Sequence, residues 1–462
     1  MTIWQPSFEN RAGPAYRAIA DAIAEDLAKG RLSPGERLPT HRDLADRLGM
    51  TVGTISRAYA EAERRGLIAG EVGRGTYIKP AARPTQPVLT EELRQSGIVD
   101  LSINTVTLGN ERQAFEAALA EVAHSENLPR LLEYQPHAGA LPHRRAGASW
   151  MTRAGLEVDP ERIIVCNGGQ NAMALAFSAL TRPGDCVLTE HLTYPGFKAL
   201  AGLLGLRVNG LPLDEEGLIP DALDQAARGG GARLLYLMPT QQNPTTATMS
   251  RWRREEIVAV ARRHDLTIVE DDVYGFLEPN AAATIAELAP ELTVYFTSLS
   301  KSLMPGLRIG YLAAPPRIIE RIAGVVRASL WMANPLAGET ATLLIQSGEA
   351  DRIAQARRTE AAARQKLAAS LLKDLEVVTR PQAFHLWLTL PDPWRRDEFV
   401  AAMLRRGVIV MSADAFAVGR GPLPHAVRIC LCGTATRAEL ETGLKHVGEL
   451  LSGRPEPFLS IV

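Results

Sequence analysis

The first 79 residues place apolar side chains at the spacing of helices and then of strands. Tyr16, Ile19, Ile23 and Leu27 lie on one face of a predicted helix, and the following LSPGERLP segment is predicted as a turn. Two shorter helical patterns come next, and the apolar period then changes to that of strands. The pattern predicts three helices followed by a β-hairpin.

Capping residues mark the ends of the second and third helices. Thr40 stands where an N-cap belongs, with Asp43 three positions later, and Gly49 closes that helix. Thr51 can cap a third helix that continues to Gly66. The segments LIAGEV and TYI, joined by a Gly-Arg-Gly turn, predict the two strands. This order of elements is that of a winged helix-turn-helix, an α+β fold.

Beyond residue 98, short apolar runs alternate with helical stretches. Four such runs are RIIVC, DCVLTE, ARLLYLMP and LTIVEDD. This alternation predicts a mostly parallel α/β sheet whose loops form a site at the carboxyl ends of the strands. After about Pro316 the chain is rich in helix and then returns to strands at VVTRPQAFHLWLTL and AVRICLC, which predicts a smaller α/β subdomain.

A proline-rich sequence, KPAARPTQP, separates the two patterns and predicts a semi-rigid linker. We therefore expect a two-domain protein. The first domain covers residues 1–79, the linker covers 80–97, and the second domain covers 98–462, with its larger subdomain ending near residue 315.

Composition narrows the class of protein. Lys and Arg number 51 and Asp and Glu number 52, a formal charge of −1, so the whole chain has no general attraction for polyanions. The four cysteines form no C-x-x-C pair, which argues against a zinc ribbon or a disulfide framework, and we expect no metal site. The sequence has no run of 18 apolar residues and no signal-peptide core. We expect a cytoplasmic protein without a membrane partner.

Polar side chains around the predicted third helix allow two interpretations. Those near its N-terminal end, where a recognition helix meets base edges and phosphates, are Thr51, Thr54, Ser56 and Arg57. Arg42 opens the second helix, and Arg74 lies at the tip of the wing. These residues either contact DNA or are ordinary solvated residues of a small helical domain. Periodicity alone leaves both interpretations open.

The motifs of this domain favour DNA binding. The sequence GRLSPGERLPTHRDLADRLGMTVGTISRAYAEAERRGLIAGEVGRGTYI closely resembles the GntR-type winged helix-turn-helix, including LPTHRDLA, the T-x-S-R-A-Y core and the G-x-G-T-Y wing. The resemblance covers essentially the whole first domain and implies double-stranded DNA as a partner. The contacts that it implies are Arg42, Thr51, Gly53, Thr54, Ser56, Gly73 and Arg74. Val52 stands where some relatives carry a basic side chain, so we expect one base contact of those relatives to be absent.

Five loop features of the second domain would form one site if the fold brings them together. They are Asn167-Gly168-Gly169-Gln170, Tyr194-Pro195-Gly196, Gln242-Asn243-Pro244-Thr245, Asp271 with Tyr274, and Lys301 with Ser298, Ser300 and Arg308. Backbone N–H groups at a glycine-rich helix start can bind a phosphate, and a buried carboxylate needs a cationic partner. A lysine whose pKa is lowered can form a Schiff base. Taken singly, each feature has a commoner explanation as a turn, a core aromatic or a solvated lysine.

Together, these groups are the ones that pyridoxal 5′-phosphate (PLP) requires. In this order the chain over roughly residues 98–455 resembles the fold-type I PLP-dependent aminotransferases, most specifically in SLSKSLMPGLRIGY and QNPT. The resemblance implies that Lys301 forms the Schiff base and that Asp271 pairs with the pyridine nitrogen. It also implies that Asn243 and Tyr274 hydrogen-bond the phenolate oxygen of the ring.

The same resemblance implies the remaining roles. The implied phosphate ligands are Gly168, Gly169, Gln170, Ser298 and Arg308. Tyr194 would stack on the ring, and Tyr134, in EYQPHAG, matches the tyrosine that each subunit of a family dimer lends to its partner's phosphate. Arg428, in AVRICLC, corresponds to the arginine that binds a substrate carboxylate. Cys166, Asn167 and the AFHLW segment, where relatives often have paired glycines, depart from the family pattern and leave the substrate open.

A GntR-type domain followed by an aminotransferase-like domain is the layout of the MocR subfamily of transcription regulators, and the whole chain resembles one. The resemblance implies a PLP-dependent, DNA-binding homodimer. Its signal would be PLP itself or a small amine or amino acid that displaces Lys301. The effector, the target genes and the sign of regulation are not readable from the sequence.

Two alternatives remain. The chain carries every group that transamination needs, so a genuine aminotransferase with a DNA-binding domain is the main one. Regeneration of the aldehyde from pyridoxamine phosphate and a keto acid would distinguish it. The other alternative, a PLP fold kept only as a dimerisation scaffold, fits poorly with the presence together of Lys301, Asp271 and Arg308.

Overall fold

The computed structural model describes residues 4, 14–28, 31–32, 36–64, 67–71, 75–78, 97–105, 111–278, 282–419 and 423–453. The chain divides into two units, Met1–Val88 and Leu89–Val462. The predicted linker up to residue 96 and the wing residues Gly73 and Arg74 lie outside the described residues. The domain limits at 79 and 98 therefore stay predictions.

The N-terminal unit contains three helices and a hairpin. Helices α1 (Ala15–Ala28), α2 (His41–Leu48) and α3 (Val52–Arg64) are followed by strand β1 (Ile68–Glu71), which pairs antiparallel with β2 (Gly75–Ile78). Their apolar faces share one core, which includes residues from all three helices and both strands. The prediction of a winged helix-turn-helix is confirmed.

Three predicted helix ends of this unit are present, whereas the end predicted for the third helix, Gly66, lies outside the described residues. Thr40 Oγ1 accepts a hydrogen bond from Asp43 N at 3.2 Å, and Gly49 ends α2 in the left-handed conformation with a φ of 62°. Thr51 Oγ1 accepts from Thr54 N, also at 3.2 Å. Side chains thus satisfy N–H groups that the first turns leave unpaired.

The chain between α1 and α2 differs from its prediction. Leu38 N donates to Thr76 O, and Ile78 N donates to Glu36 O, both at 2.8 Å, so residues 36–38 pair along β2. The turn predicted for LSPGERLP is therefore wrong for its last part. The pairing partner lies about forty residues later, and local turn chemistry carries no signal of it.

The C-terminal unit alternates strands and helices. Its helices are α4 (Glu111–His124), α5 (Leu128–Leu131), α6 (Leu141–Met151), α7 (Gly169–Leu180), α8 (Pro195–Leu203), α9 (Pro220–Arg228), α10 (Arg251–Arg263), α11 (Ile285–Leu288), α12 (Leu299–Ser302), α13 (Pro316–Ser329), α14 (Pro335–Gln346), α15 (Glu349–Leu371), α16 (Arg396–Arg405) and α17 (Arg437–Ser452). Its strands are β3 (Val99–Asp100), β4 (Ile163–Cys166), β5 (Cys186–Glu190), β6 (Arg207–Leu211), β7 (Leu213–Asp214), β8 (Gly217–Leu218), β9 (Ala232–Leu237), β10 (Thr267–Asp271), β11 (Thr293–Ser298), β12 (Gly310–Ala313), β13 (Val377–Val378), β14 (His385–Thr389), β15 (Val408–Ile409), β16 (Met411–Ser412) and β17 (Ala426–Cys430). None of the helices in the described ranges is long and apolar enough to cross a membrane.

Seven strands form the main sheet, in the order β4-β12-β11-β10-β9-β5-β6. All neighbours are parallel except where β12 joins β11 and β4. In β4, Ile164 and Cys166 belong to one core cluster and Ile163 and Val165 to another, because successive side chains of a strand point to opposite faces. Burial on both faces accounts for the continuous apolar runs of these strands. The predicted mostly parallel α/β sheet is confirmed.

A second sheet forms the smaller subdomain. Its order is β13-β14-β17-β16, with all neighbours antiparallel. Strand β3 is the first element that the structure describes in this unit. It pairs parallel with β15, which belongs to the smaller subdomain. The first strand of the unit is therefore joined to the last third of the chain, which the sequence order does not suggest.

Helix α6 packs against strand β12 at Gly147. We therefore expect substitution of this glycine to affect stability differently from substitution of a glycine with free space around it. A Cβ at Gly147 would lie 2.4 Å from Tyr311 Cδ1, so we expect Gly147→Ala to lower the free energy of unfolding by about 1–3 kcal/mol through overpacking. Gly324, in α13, has no atom within 4 Å of its Cβ position. Gly324→Ala is expected to raise stability by about 0.5–1 kcal/mol, since alanine is the better helix former. Urea unfolding of both full-length variants measures this, and equal effects would contradict the packing argument.

Candidate cofactor site and nucleic-acid interface

The candidate cofactor site lies at the carboxyl edge of the seven-stranded sheet. The glycine turn follows β4, Tyr194 follows β5, Asn243 follows β9, and Asp271 and Ser298 end β10 and β11. Because these strands run in one direction, their carboxyl ends meet at one edge. The sheet order gathers segments that lie far apart in the sequence.

A glycine turn and an arginine form a cationic cradle at the start of α7. Gly168 has a φ of 84°, and a Cβ there would lie 2.8 Å from Arg308 Nη2. Arg308 donates from Nη2 to Asn167 O at 3.0 Å and from Nη1 to Ser300 Oγ at 3.3 Å. Glycine leaves room for the guanidinium beside the N–H groups of the helix start. The cradle is therefore suited to a phosphate.

Further predicted ligands adjoin this cradle. Ser298 is buried, and a Cβ at Gly169 would lie 3.4 Å from its Cβ. The exposed Gln170 donates from Nε2 to Gly196 O at 3.3 Å, and its Oε1 accepts from Tyr194 Oη at 3.4 Å. The structure thus brings the predicted phosphate ligands and the predicted stacking tyrosine together.

Asp271 lies buried at the end of β10, with 3% of its surface exposed. Its Oδ2 accepts from Tyr236 Oη at 2.8 Å, and its Oδ1 accepts from Val273 N at 3.3 Å. Burial raises the pKa of this carboxyl to about 7, because the low-dielectric surroundings disfavour its charged form. A cation placed against Asp271 would restore the ionised state.

Lys301 reaches the same region from α12, which follows β11. It is half-buried, and burial of its amine lowers its pKa from 10.5 to about 8. Its Nζ donates a hydrogen bond to the backbone oxygen of Asn104. An appreciable fraction of the amine is therefore neutral and nucleophilic near neutral pH.

Tyr274 joins a hydrogen-bonded group that sequence reasoning missed. Asn104 Nδ2 donates to Tyr274 Oη at 2.8 Å and lies 3.0 Å from His385 Nδ1. Burial lowers the pKa of His385 to about 3, so its ring is neutral and Nδ1 can accept this bond. Because the Tyr274 oxygen accepts from Asn104, its own hydrogen is available for another acceptor.

Sequence reasoning missed Tyr236, Asn104 and His385, and only the first of these has a signal in the sequence. Tyr236 carries a hydroxyl in the buried part of its strand, where its neighbours Leu234, Leu235 and Leu237 are apolar, and this is a usable signal for a buried partner. Asn104 and His385 are separated by 281 positions. They meet because β3 and β14 both belong to the smaller subdomain. Neither local pattern nor spacing predicts that contact.

Arg428, in β17, is bound to Asn243. Its Nη1 donates to Asn243 Oδ1 at 2.9 Å, its Nη2 donates to the backbone oxygen of Ser102, and its guanidinium lies 5.0 Å from the Phe416 ring centroid. Arg428 is buried. The Asn243 oxygen is thus engaged by the arginine, so the hydrogen bond that its amide can offer a ligand comes from Nδ2.

Tyr134 faces solvent, with 81% of its surface exposed. Its ring packs against Trp331 at 5.6 Å between centroids, and Trp331 is itself 47% exposed. The structure of one chain does not bring Tyr134 into the cradle. An exposed aromatic pair of this kind is typical of a surface that another protein covers.

The departures from the family pattern lie in or beside the core. Cys166 is buried at the end of β4, and Asn167 Oδ1 accepts from Asn334 N at 3.3 Å. In the AFHLW segment, Ala383 and His385 are fully buried. This segment supplies the neutral imidazole described above.

The N-terminal unit presents a polar surface around the start of α3. Arg42, Thr51 and Gly53 are exposed, and Val52 is 44% exposed. Thr51 Oγ1 and Thr54 Oγ1 are hydrogen-bonded at 2.9 Å. Arg42, Thr51 and Gly53 therefore have the accessibility that DNA contact requires.

Ser56, another predicted DNA contact, has a side-chain partner within the domain. It is half-buried, and its Oγ lies 3.1 Å from His41 Nδ1. The prediction that Ser56 contacts DNA is not tested by this contact. The predicted contacts Gly73 and Arg74 lie outside the described residues.

Comparison with known proteins identifies both parts of the chain. Residues 96–447 match the family of class I and II aminotransferases, and residues 15–78 match the bacterial regulatory proteins of the gntR family. An uncharacterized HTH-type transcriptional regulator, YdeF of Bacillus subtilis strain 168, is 30% identical over 97% of this chain and 96% of its own. The HTH-type pyridoxine biosynthesis transcriptional regulator PdxR of Corynebacterium glutamicum is 28% identical over 67% of this chain and 68% of its own.

A solved structure matches the C-terminal unit. It is the α-aminoadipate aminotransferase LysN of Thermus thermophilus, complexed with N-(5′-phosphopyridoxyl)-L-leucine. The TM-score is 0.70 at 25% identity, over 80% of this chain and 95% of that one. The chain therefore belongs to the class I and II aminotransferase family, and the joining of a gntR-family domain to this domain is the layout of the MocR subfamily of helix-turn-helix transcription regulators.

Proposed function

We propose that this regulator binds PLP on Lys301, senses PLP or a small amine or amino acid there, and binds double-stranded DNA as a cytoplasmic homodimer. The observation that carries the proposal is the placement of a buried carboxylate, a half-buried lysine and a cationic cradle at one edge of the sheet. These are the groups that PLP needs from a protein.

The residues fit the cofactor at both of its charged ends. A phosphate would fit the cradle of Gly168 and Arg308, where a side chain on the glycine would collide with the guanidinium. A protonated pyridine nitrogen would meet Asp271, whose pKa is raised by burial and would fall again beside a cation. When bound, PLP supplies an aldehyde that condenses with amines and a ring that withdraws electrons.

The neighbouring side chains would orient the ring. Tyr194 would stack on it, and Asn243 Nδ2 and Tyr274 Oη would donate to its phenolate oxygen. Gly169, Gln170 and Ser298 would complete the phosphate contacts. Each donor is oriented by a bond already present, to Arg428 for Asn243 and to Asn104 for Tyr274.

Arg428 would bind the carboxylate of an amino-acid effector. Its planar fork suits a bidentate contact, and the aromatic face of Phe416 lies against the guanidinium. An amine without a carboxylate would react with the cofactor but forgo this contact. Arg428 therefore favours amino acids over simple amines.

A homodimer would place Tyr134 at the partner's cradle. The exposed Tyr134–Trp331 pair supports this assignment. A symmetric dimer carries two winged helices, which suits an operator with two half-sites.

The first prediction concerns Lys301. Added PLP is expected to give the wild-type protein a visible absorbance band, and borohydride reduction followed by peptide mass spectrometry should locate the pyridoxyl group on Lys301. Lys301→Ala is expected to lose both signals, whereas Lys373→Ala, at an exposed lysine, should keep them. A protein that takes up no PLP would overturn the proposal. Shifts of the band with a panel of amino acids and amines would identify the effector.

The second prediction concerns pH. The neutral amine is the nucleophile, so the rate of PLP uptake should rise with pH and level off above about 8, the lowered pKa of Lys301. Stopped-flow absorbance measures this rate. The reaction of PLP with N-α-acetyl-lysine is the control, since an unburied lysine should accelerate toward its ordinary pKa of 10.5. A profile for the protein that follows the control would contradict the burial argument.

The third prediction concerns DNA. Arg42→Ala is expected to weaken binding to a mixed-sequence duplex and to reduce the slope of log K against log salt by about 0.9, the value for one lost phosphate contact. Fluorescence anisotropy over a salt series measures both quantities. Arg327→Ala makes the same charge change at an exposed position of α13 and should leave the slope unchanged. Equal slopes in all three proteins would remove Arg42 from the interface.

A further inference from the structure

The segment after β3 accepts hydrogen bonds from both basic residues of the proposed site, Lys301 and Arg428. We call this segment, Leu101–Thr105, the strap. The backbone oxygen of Asn104 accepts from Lys301 Nζ, and the backbone oxygen of Ser102 accepts from Arg428 Nη2. Lys301 and Arg428 are the groups that the cofactor and the effector carboxylate would engage. The strap is therefore positioned as an internal competitor for both.

Asn104 fixes the strap to the site through its side chain. The amide Nδ2 contacts Tyr274 Oη at 2.8 Å and His385 Nδ1 at 3.0 Å. Asn104 itself is buried. One residue thus connects the lysine, the tyrosine and the neutral histidine of the smaller subdomain.

The other side of the strap rests on the smaller subdomain. Leu101 N donates to Ile409 O at 2.9 Å, and Leu101 O accepts from Cys430 N at 2.7 Å. The Ile103 backbone oxygen lies so close to Gly433 that a Cβ there would be 2.5 Å away. The strap is held from both sides by specific contacts, not by general packing.

We propose that the strap holds Lys301 until PLP displaces it, and that Asn104 is the positioning residue that sets how readily this happens. The inference rests on the proposed function of Lys301. In imine formation, Lys301 Nζ forms a bond to the aldehyde carbon of the cofactor, and the aldehyde oxygen leaves as water. Nζ must move away from the Asn104 carbonyl to do so, and the hydrogen bond between them breaks. Because the same five residues make both contacts, release of Lys301 loosens the strap, and withdrawal of the strap frees Arg428 from the Ser102 oxygen and opens the carboxylate position.

Hydrogen–deuterium exchange of the full-length wild-type protein tests the displacement directly. Addition of PLP is expected to increase exchange in peptides that cover residues 99–105, because Lys301 and Arg428 no longer hold the strap. Unchanged or slower exchange in those peptides, in protein whose absorbance shows bound PLP, would overturn the proposal. Absence of the PLP band in wild type would instead overturn the proposed function.

Two substitutions test the positioning role from opposite sides. Asn104→Ala removes the amide contacts, and Gly433→Ala pushes on the Ile103 carbonyl while leaving Asn104 intact. Both are expected to raise the rate of PLP association about 2- to 10-fold, the range expected if the strap is weakened by the net free energy of a single hydrogen bond. Gly448→Ala, whose Cβ would make an ordinary 3.6 Å contact with Leu371 O, is the matched control and should associate at the wild-type rate.

A spectroscopic titration separates positioning from general loosening. Without Asn104, Tyr274 loses the donor that orients it, so the pH midpoint of the bound cofactor's absorbance should rise in Asn104→Ala. Gly448→Ala should keep the wild-type midpoint. Wild-type association rates in both strap variants, or an unchanged midpoint in Asn104→Ala, would contradict the role of Asn104.

Discussion

Burial of two ionisable groups, neither of which forms an ion pair among the described residues, is the constraint on which the site depends. Asp271 and Lys301 both lie in surroundings that disfavour charge, and burial moves the pKa of the first up to about 7 and of the second down to about 8. Each therefore titrates close to neutral pH. A ligand that brings a cation to Asp271 and an aldehyde to Lys301 removes both penalties together, so binding of that ligand stabilises the fold.

The sheet makes this burial possible by separating three consecutive acids. Asp271 faces the site, whereas Glu270 accepts from two backbone N–H groups at the start of α11, at 3.0 and 2.8 Å. Asp272 accepts from Tyr295 Oη at 2.8 Å, and Arg254 Nη1 lies 3.9 Å from Glu270 Oε1. Two of the acids are thus part of a structural network. The third remains available because Tyr236 is its only side-chain hydrogen-bond donor among the described residues.

The sequence predicts those parts of the molecule whose causes are local. Thr40 and Gly49 act as caps because of their own chemistry, and the apolar run before Asp271 is a strand because both sheet faces are covered. The resemblance to the aminotransferases extends these predictions to candidate site residues that lie in recognisable motifs, such as Lys301.

What the sequence does not predict depends on partners far along the chain. Asn104 meets His385 only because β3 joins the smaller subdomain, and residues 36–38 are extended only because β2 lies beside them. The contact of Ser56 with His41, 15 positions earlier, is also not visible in the local pattern. Contacts between residues far apart in the chain override the conformation that the local sequence pattern favours, and the local pattern does not predict them.

The strap also bears on how a signal could leave the site. An effector can shift an equilibrium only if it binds two arrangements unequally, so the protein must offer it different contacts in each. With the strap in place, Lys301 and Arg428 contact backbone oxygens of the protein itself, and an amino acid would find neither group free. With the strap withdrawn, both groups are open. Because the strap follows β3, the first strand that the structure describes in this unit, the segment that changes lies early in the unit's sequence.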